Sequence, residues 1–154
     1  MQKEDELINV KYNVTIEVKN LETGECRNIK VHNLVTDLGK HLIRDFLKND
    51  SVEGMKYFAI GTGVTASSVS DEILESEVYR DTFTDVLIEG NKVTFKYYLG
   101  SQEANGNILT EAGLFGNTAT SDINTGVLFA RFLNNPIEKN TATGVTYSWE
   151  IIIN

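Results

Sequence analysis

The chain has 154 residues, 41% of them hydrophobic and 23% charged, proportions that fit one globular domain and exclude a disordered chain. Its formal net charge of −8 makes a phosphate backbone an unfavourable partner, so nucleic acid is not expected. No apolar run long enough to cross a bilayer occurs in the sequence, so membrane insertion is not expected either.

The opening residues Met1-Gln2-Lys3-Glu4-Asp5-Glu6 do not have the basic and then apolar pattern of a secretory signal. A lone cysteine, Cys26, has no internal disulfide partner, which suits a reducing compartment.

In chain order, Val10, Tyr12, Val14, Ile16 and Val18 alternate with polar residues, the period of a half-buried strand. Thr23-Gly24 marks a turn and Ile29 and Val31 continue a second strand, so residues 8–32 read as a β-hairpin. The period then changes to about four. Leu34, Leu38, Leu42 and Phe46 form the apolar stripe of an amphipathic helix over 34–47, with Asn33 as its N-cap. Residues 55–60 read as a buried strand, and 71–79 as a short helix. Segments 82–89 and 92–99 flank Gly90-Asn91 as a hairpin. Further strands are expected at 108–115, 127–133 and 145–153, with Pro136 in a loop after the second of these. Alternation favours antiparallel sheets with one wet face. The fold class is therefore mainly β: a single domain over 1–154, an antiparallel, jelly-roll-like β-sandwich of about eight strands with one helix.

Two histidines, His32 and His41, and one cysteine are too few for a typical structural zinc site. The nucleophile-elbow, Walker and zinc-protease patterns are missing from the sequence. No cofactor and no catalytic residue is expected.

Gly61-x-Gly63 has glycine spacing seen in phosphate loops but no following lysine, so a turn needing glycine freedom is the better reading. Glu103 with Asn105-Gly106-Asn107 offers generic oxygen ligands for calcium, as do Asp122 and Asn124; a plain turn is favoured. Tyr97, Tyr98, Tyr147 and Trp149 suggest a sugar-stacking platform, but three of them, Tyr97, Tyr147 and Trp149, fall on the core parity of their strands. Glu111 and Arg131 each interrupt an apolar run. Such charges are usually paired or placed at an interface. If the strands around them are hairpin neighbours with Phe115 opposite Val127, Glu111 lies directly opposite Arg131, and Gly113 opposite Phe129.

Several blocks occur in order along the chain: Asn33-Leu34-Val35, residues 57–63 (Tyr57 to Gly63), Glu77-Val78-Tyr79-Arg80, Glu103-Ala104-Asn105-Gly106, Glu111 to Phe115, Leu128-Phe129-Ala130-Arg131 and Trp149-Glu150-Ile151. In that order they resemble a family of small bacteriophage tail proteins, structural components of tail fibres or baseplates. The resemblance spans about residues 33–153. It implies a non-enzymatic virion component, present in the host cytoplasm during assembly. Its partners would be other phage structural proteins and copies of itself, with a trimer the favoured oligomer. Alternatives are a capsid decoration protein, or a module that binds a host-surface glycan.

Overall fold

The structure is a computed structural model that describes residues 10–154. The first two residues of the expected 8–32 hairpin lie outside them. The described residues form β1 (Val10–Asn20), β2 (Cys26–Val31), β3 (Leu34–Val35), α1 (Asp37–Leu47), β4 (Met55–Gly61), β5 (Glu77–Thr82), β6 (Asp85–Glu89), β7 (Lys92–Leu99), β8 (Asn107–Gly116), β9 (Val127–Lys139) and β10 (Thr143–Ile153). There are thus ten strands among them rather than about eight. The extra ones are the two-residue β3 and β5, which begins within the segment expected as a short helix and ends at Thr82; the expected 82–89 strand is formed from Asp85 onward, as β6 in the other sheet.

Both sheets are antiparallel and five-stranded, ordered β2-β1-β10-β7-β6 and β3-β9-β8-β4-β5. They pack face to face through an aromatic centre. Phe58 of the second sheet stacks on Tyr97 at 5.0 Å between ring centroids and touches Tyr147 and Trp149 of the first. Phe132 reaches the same Trp149 at 4.9 Å. The arrangement is sandwich-like, as the strand patterns implied. The chain stays in one sheet for two or three strands before crossing, and nothing in this order assigns it to the jelly rolls.

The two sheets differ in what covers them. The first has one wet face, which is why β1, β7 and β10 alternate so clearly in sequence. The second is buried on both sides: every residue of β8 from Leu109 to Gly116 is buried. Its outer face carries a second small apolar cluster of Ala59, Leu74, Phe115, Ala119 and Leu128.

The helix is shorter than its four-residue spacing suggested. Leu34 and Val35 pair with Arg131 and Ala130 of β9, so they belong to a sheet edge. Thr36, not Asn33, caps α1: its Oγ1 accepts from the Gly39 N–H at 2.9 Å and donates to the Leu128 carbonyl at 2.5 Å. The cap therefore stops the helix fraying and also ties it to β9. Only Leu42 of the expected stripe is fully covered; Leu38 is half-buried and Phe46 is 70% exposed. Gly39 explains the close approach, because a Cβ there would overlap the Phe129 carbonyl oxygen.

Residues 71–76 are irregular and run into β5, so the expected short helix over 71–79 is absent. Pro136 lies inside β9, in the irregular stretch where Leu109 pairs with Ile137 and Glu111 already with Leu133. A bulge is one of the few places a sheet accepts proline.

The helix contacts give a stability test. Leu42→Ala should cost about 2–3 kcal/mol, and Gly39→Ala should also destabilise through the clash with β9. Phe46→Ser should stay within about 0.5 kcal/mol of wild type. Urea unfolding of the three variants checks the assignment; a large loss for Phe46→Ser alone would contradict it.

Candidate functional site

Of the residues that sequence reasoning singled out, Glu111, Arg131, Gly61 and Gly63 gather on the outer face of the second sheet. Glu111 and Arg131 do meet there, but not by direct opposition: Glu111 faces Leu133, and Arg131 faces Gly113. Two departures add up. The first ladder pair beyond the 116–126 loop is Gly116 with Val127, and a bulge between Leu114 and Phe115 slips the register once more. A slip of one residue would have put the two charges on opposite faces. A slip of two keeps them on one face as diagonal neighbours, still within reach of long side chains. Gly113 accordingly makes room beside Leu128 and Leu74, not Phe129.

The Glu111 carboxylate is completely buried and fully engaged. Its Oε2 accepts from Arg131 Nε at 2.9 Å and from the Glu75 N–H at 3.1 Å. Its Oε1 accepts from the N–H groups of Gly63 and Ser76 at 3.0 and 2.7 Å. Arg131 in turn donates to Asp71 Oδ2 and to the Thr65 carbonyl, each at 2.9 Å. These bonds lay the 62–76 segment over β8 and β9.

Gly61 and Gly63 acquire a different role from the one expected. Neither has a positive φ. A Cβ on either would come within 2.5 Å of Glu111 Oε1. They are glycines because a carboxylate presses against the backbone. The loop does present backbone donors to an anion, as phosphate loops do, but the anion is the chain's own.

Sequence reasoning gave no individual role to a second buried pair, Glu77 and Arg80, whose side chains are 0% and 1% exposed. Residues three apart on a strand normally point to opposite faces. The β4–β5 ladder is irregular at Ile60/Gly61, where Val78 is skipped, and this brings the two onto one face. Arg80 binds Glu77 through Nε and Nη2, at 2.5 and 2.9 Å. Its Nη1 donates to the Thr120 and Thr125 carbonyls at 3.1 and 2.9 Å. The guanidinium lies 4.4 Å from the Phe115 ring centroid, a cation–π geometry. Glu77 also accepts the Asn124 N–H at 3.0 Å. The 116–126 loop is thus held by an arginine–carboxylate clamp, as the 62–76 segment is. The Asn124 backbone belongs to that clamp, and the Asp122 carbonyl accepts from Thr125 Oγ1 at 2.7 Å.

At the far end of β8, Gly106 has a φ of +82°, and its N–H donates to the Lys139 carbonyl. The oxygen offered by Asn105 faces a cation from within the chain: Lys139 Nζ donates to Asn105 Oδ1 at 2.7 Å. Burial lowers the Lys139 pKa, with Glu103 pulling it the other way. Among the described residues, no cluster of histidine, cysteine and acid side chains is arranged to hold a metal ion. Tyr97, Tyr147 and Trp149 are buried in the core, which removes them from any sugar platform; Tyr98 is half exposed. Burial drives the Tyr97 and Tyr147 hydroxyls far above the usual tyrosine range, so they stay protonated.

Comparison of the chain with protein-family models, with curated proteins and with solved structures finds no match. The likeness to tail proteins therefore rests on the ordered sequence blocks alone.

Two surface features remain. An apolar groove of about 430 Å³ is lined by Leu42, Ile43, Phe46, Leu47, Met55 and Ile153, among others. The strand β6 is exposed along its whole length.

The clamp at Glu111 yields two predictions. Arg131→Ala should cost about 3–5 kcal/mol by stranding a buried carboxylate, whereas Glu111→Leu with Arg131→Met should cost less than the sum of the single changes. Denaturant unfolding of the cycle measures the coupling, and strict additivity would contradict it. The second concerns acid. Glu75 is held below its ordinary 4.5, foremost by the Thr65 N–H. A lowered carboxylate pKa stabilises the fold above the unfolded value and stops doing so as pH falls through the folded one. Glu75→Gln should therefore flatten the loss of stability below about pH 4.5. Melting curves between neutral pH and pH 3 read this, and parallel curves for the two proteins would refute it.

Proposed function

We propose that this chain is a non-enzymatic structural subunit of a bacteriophage particle, at the tail tip, the baseplate or the base of a tail fibre. It acts there through assembly contacts with copies of itself and with other particle proteins. The observation that supports this best is which side chains the fold leaves in water. Phe46 and Leu47 on α1 are 70% and 72% exposed, and Ile88 on β6 is 78% exposed. Large apolar residues grouped on ordered elements mark contact surfaces. The buried carboxylates, by contrast, are spent internally. Glu111 and Glu77 each accept from an arginine and from backbone N–H groups, which suits a braced scaffold better than acid–base chemistry at either group. The ordered sequence blocks supply the phage context.

Particles assembled with a tagged copy of the chain should show the label at the tail end in negative-stain images. Label spread over the capsid would make it a decoration protein. Selective retention on immobilised host-surface glycans would favour an attachment module. Absence from purified particles would refute the reading. The isolated chain should sediment as a multimer, with a trimer favoured.

A further inference from the structure

The first sheet ends in two edges of opposite charge. Among the described residues, β2 pairs only with β1, and β6 only with β7. The β2 edge carries Arg27 and Lys30, both exposed. The β6 edge carries Asp85 and Glu89 at its ends, with Val86, Leu87 and Ile88 between them, and all five residues are exposed. An exposed apolar edge of this kind is a template for another strand, and proteins that do not use one normally blunt it.

The neighbour that β6 already has shows what it accepts. Its partner β7 sets Lys96 opposite Asp85 and Lys92 opposite Glu89, and Lys92 Nζ lies 3.0 Å from Glu89 Oε2. A strand joining the free side meets the same two acids. A second β6 is a poor mate, because antiparallel pairing about Leu87 would put Asp85 of each copy opposite Glu89 of the other. Like charges directly opposed are destabilising.

We propose that copies of this chain join edge to edge, with β2 of one copy adding to β6 of the next so that the first sheet runs on between them. This deepens the assembly reading given above and rests on it. Neighbours throughout the first sheet are antiparallel, so β2 and β6 run in the same direction and the new pair is parallel. A register with Cys26 beside Asp85 sets Lys30 beside Glu89 and Ile29 beside Ile88. It also preserves the faces. Ile29 pairs with Ile16, Ile16 with Tyr147, Tyr147 with Tyr97, and Ile88 pairs with Val93 on that same side. The contact is heterologous, so the sheet twist makes it close into a ring or extend as a filament.

Cys26 is free and exposed, which gives a direct test. Under mild oxidation D85C should produce a disulfide-linked ladder of copies, and D85C with C26S should not. Cys26 alone yields at most a covalent dimer. I88K, and separately K30E, should weaken self-association at least about tenfold by sedimentation, with the melting temperature held because these side chains are exposed. Combining K30E with E89K should restore association. If the wild-type chain is monomeric at all concentrations and absent from particles, the assembly reading falls and this inference with it. If a multimer forms but I88K leaves it intact and D85C gives no ladder, the edge pairing alone is overturned. Cross-linking of D85C in particles to a different protein, with no ladder, would likewise overturn the choice of mate.

Discussion

The outer face of the second sheet depends on one buried carboxylate. Glu111 sits with no exposed surface, and a lone charge in that position would cost several kcal/mol. The cost is offset by Arg131 and by the N–H groups of Gly63, Glu75 and Ser76. Those three donors lie in a segment without helix or strand of its own, between β4 and β5. The segment is ordered because the carboxylate needs it, and the carboxylate is tolerated because the segment is there. Deleting either partner strands the other.

The same solution is used twice. Arg80 and Glu77 hold the 116–126 loop as Arg131 and Glu111 hold the 62–76 segment. Each guanidinium reaches a carboxylate and at least one backbone carbonyl, so one side chain neutralises a charge and fixes a loop. The two loops cover what would otherwise be a second wet face. This coverage explains why β8 is buried at every position from Leu109 to Gly116 and shows no alternation of wet and dry residues there, a pattern more usual for parallel strands packed on both sides.

The sequence made the first sheet legible and the second only in part. β1, β7 and β10 have one wet face, so Val14, Ile16, Phe95, Tyr97, Tyr147 and Trp149 alternate with polar residues and announce their strands. Strands buried on both faces lose that period. A spacing of four carries the helix pattern back to Leu34, although the Leu34 backbone pairs with Arg131; Thr36 followed by Asp37 marks the true start. The Glu111–Arg131 pair was legible as two charges in apolar runs, but its register was not, since bulges leave no clear trace in a single sequence. Glu77 and Arg80 carry no such signal, because neither interrupts an apolar run and the segment reads as a short helix that ends before Arg80; the strand that forms there brings them onto one face only by skipping Val78. The 62–76 segment has no periodicity to read, because its order comes from long-range hydrogen bonds.

The position of β10 also bears on how the chain is made. It lies between β1 and β7 and pairs with both along nearly its whole length, yet it follows both in the chain. While the ribosome is still translating upstream of Thr143, the first sheet exists only as two separate hairpins, β1–β2 and β6–β7, and isolated hairpins are marginal in water. Closing that sheet must await the strand that bridges them, across a sequence separation that slows folding. The nascent chain therefore passes through an interval with the edges of β1 and β7 both open, when a holdase or dilution from other nascent copies would matter most.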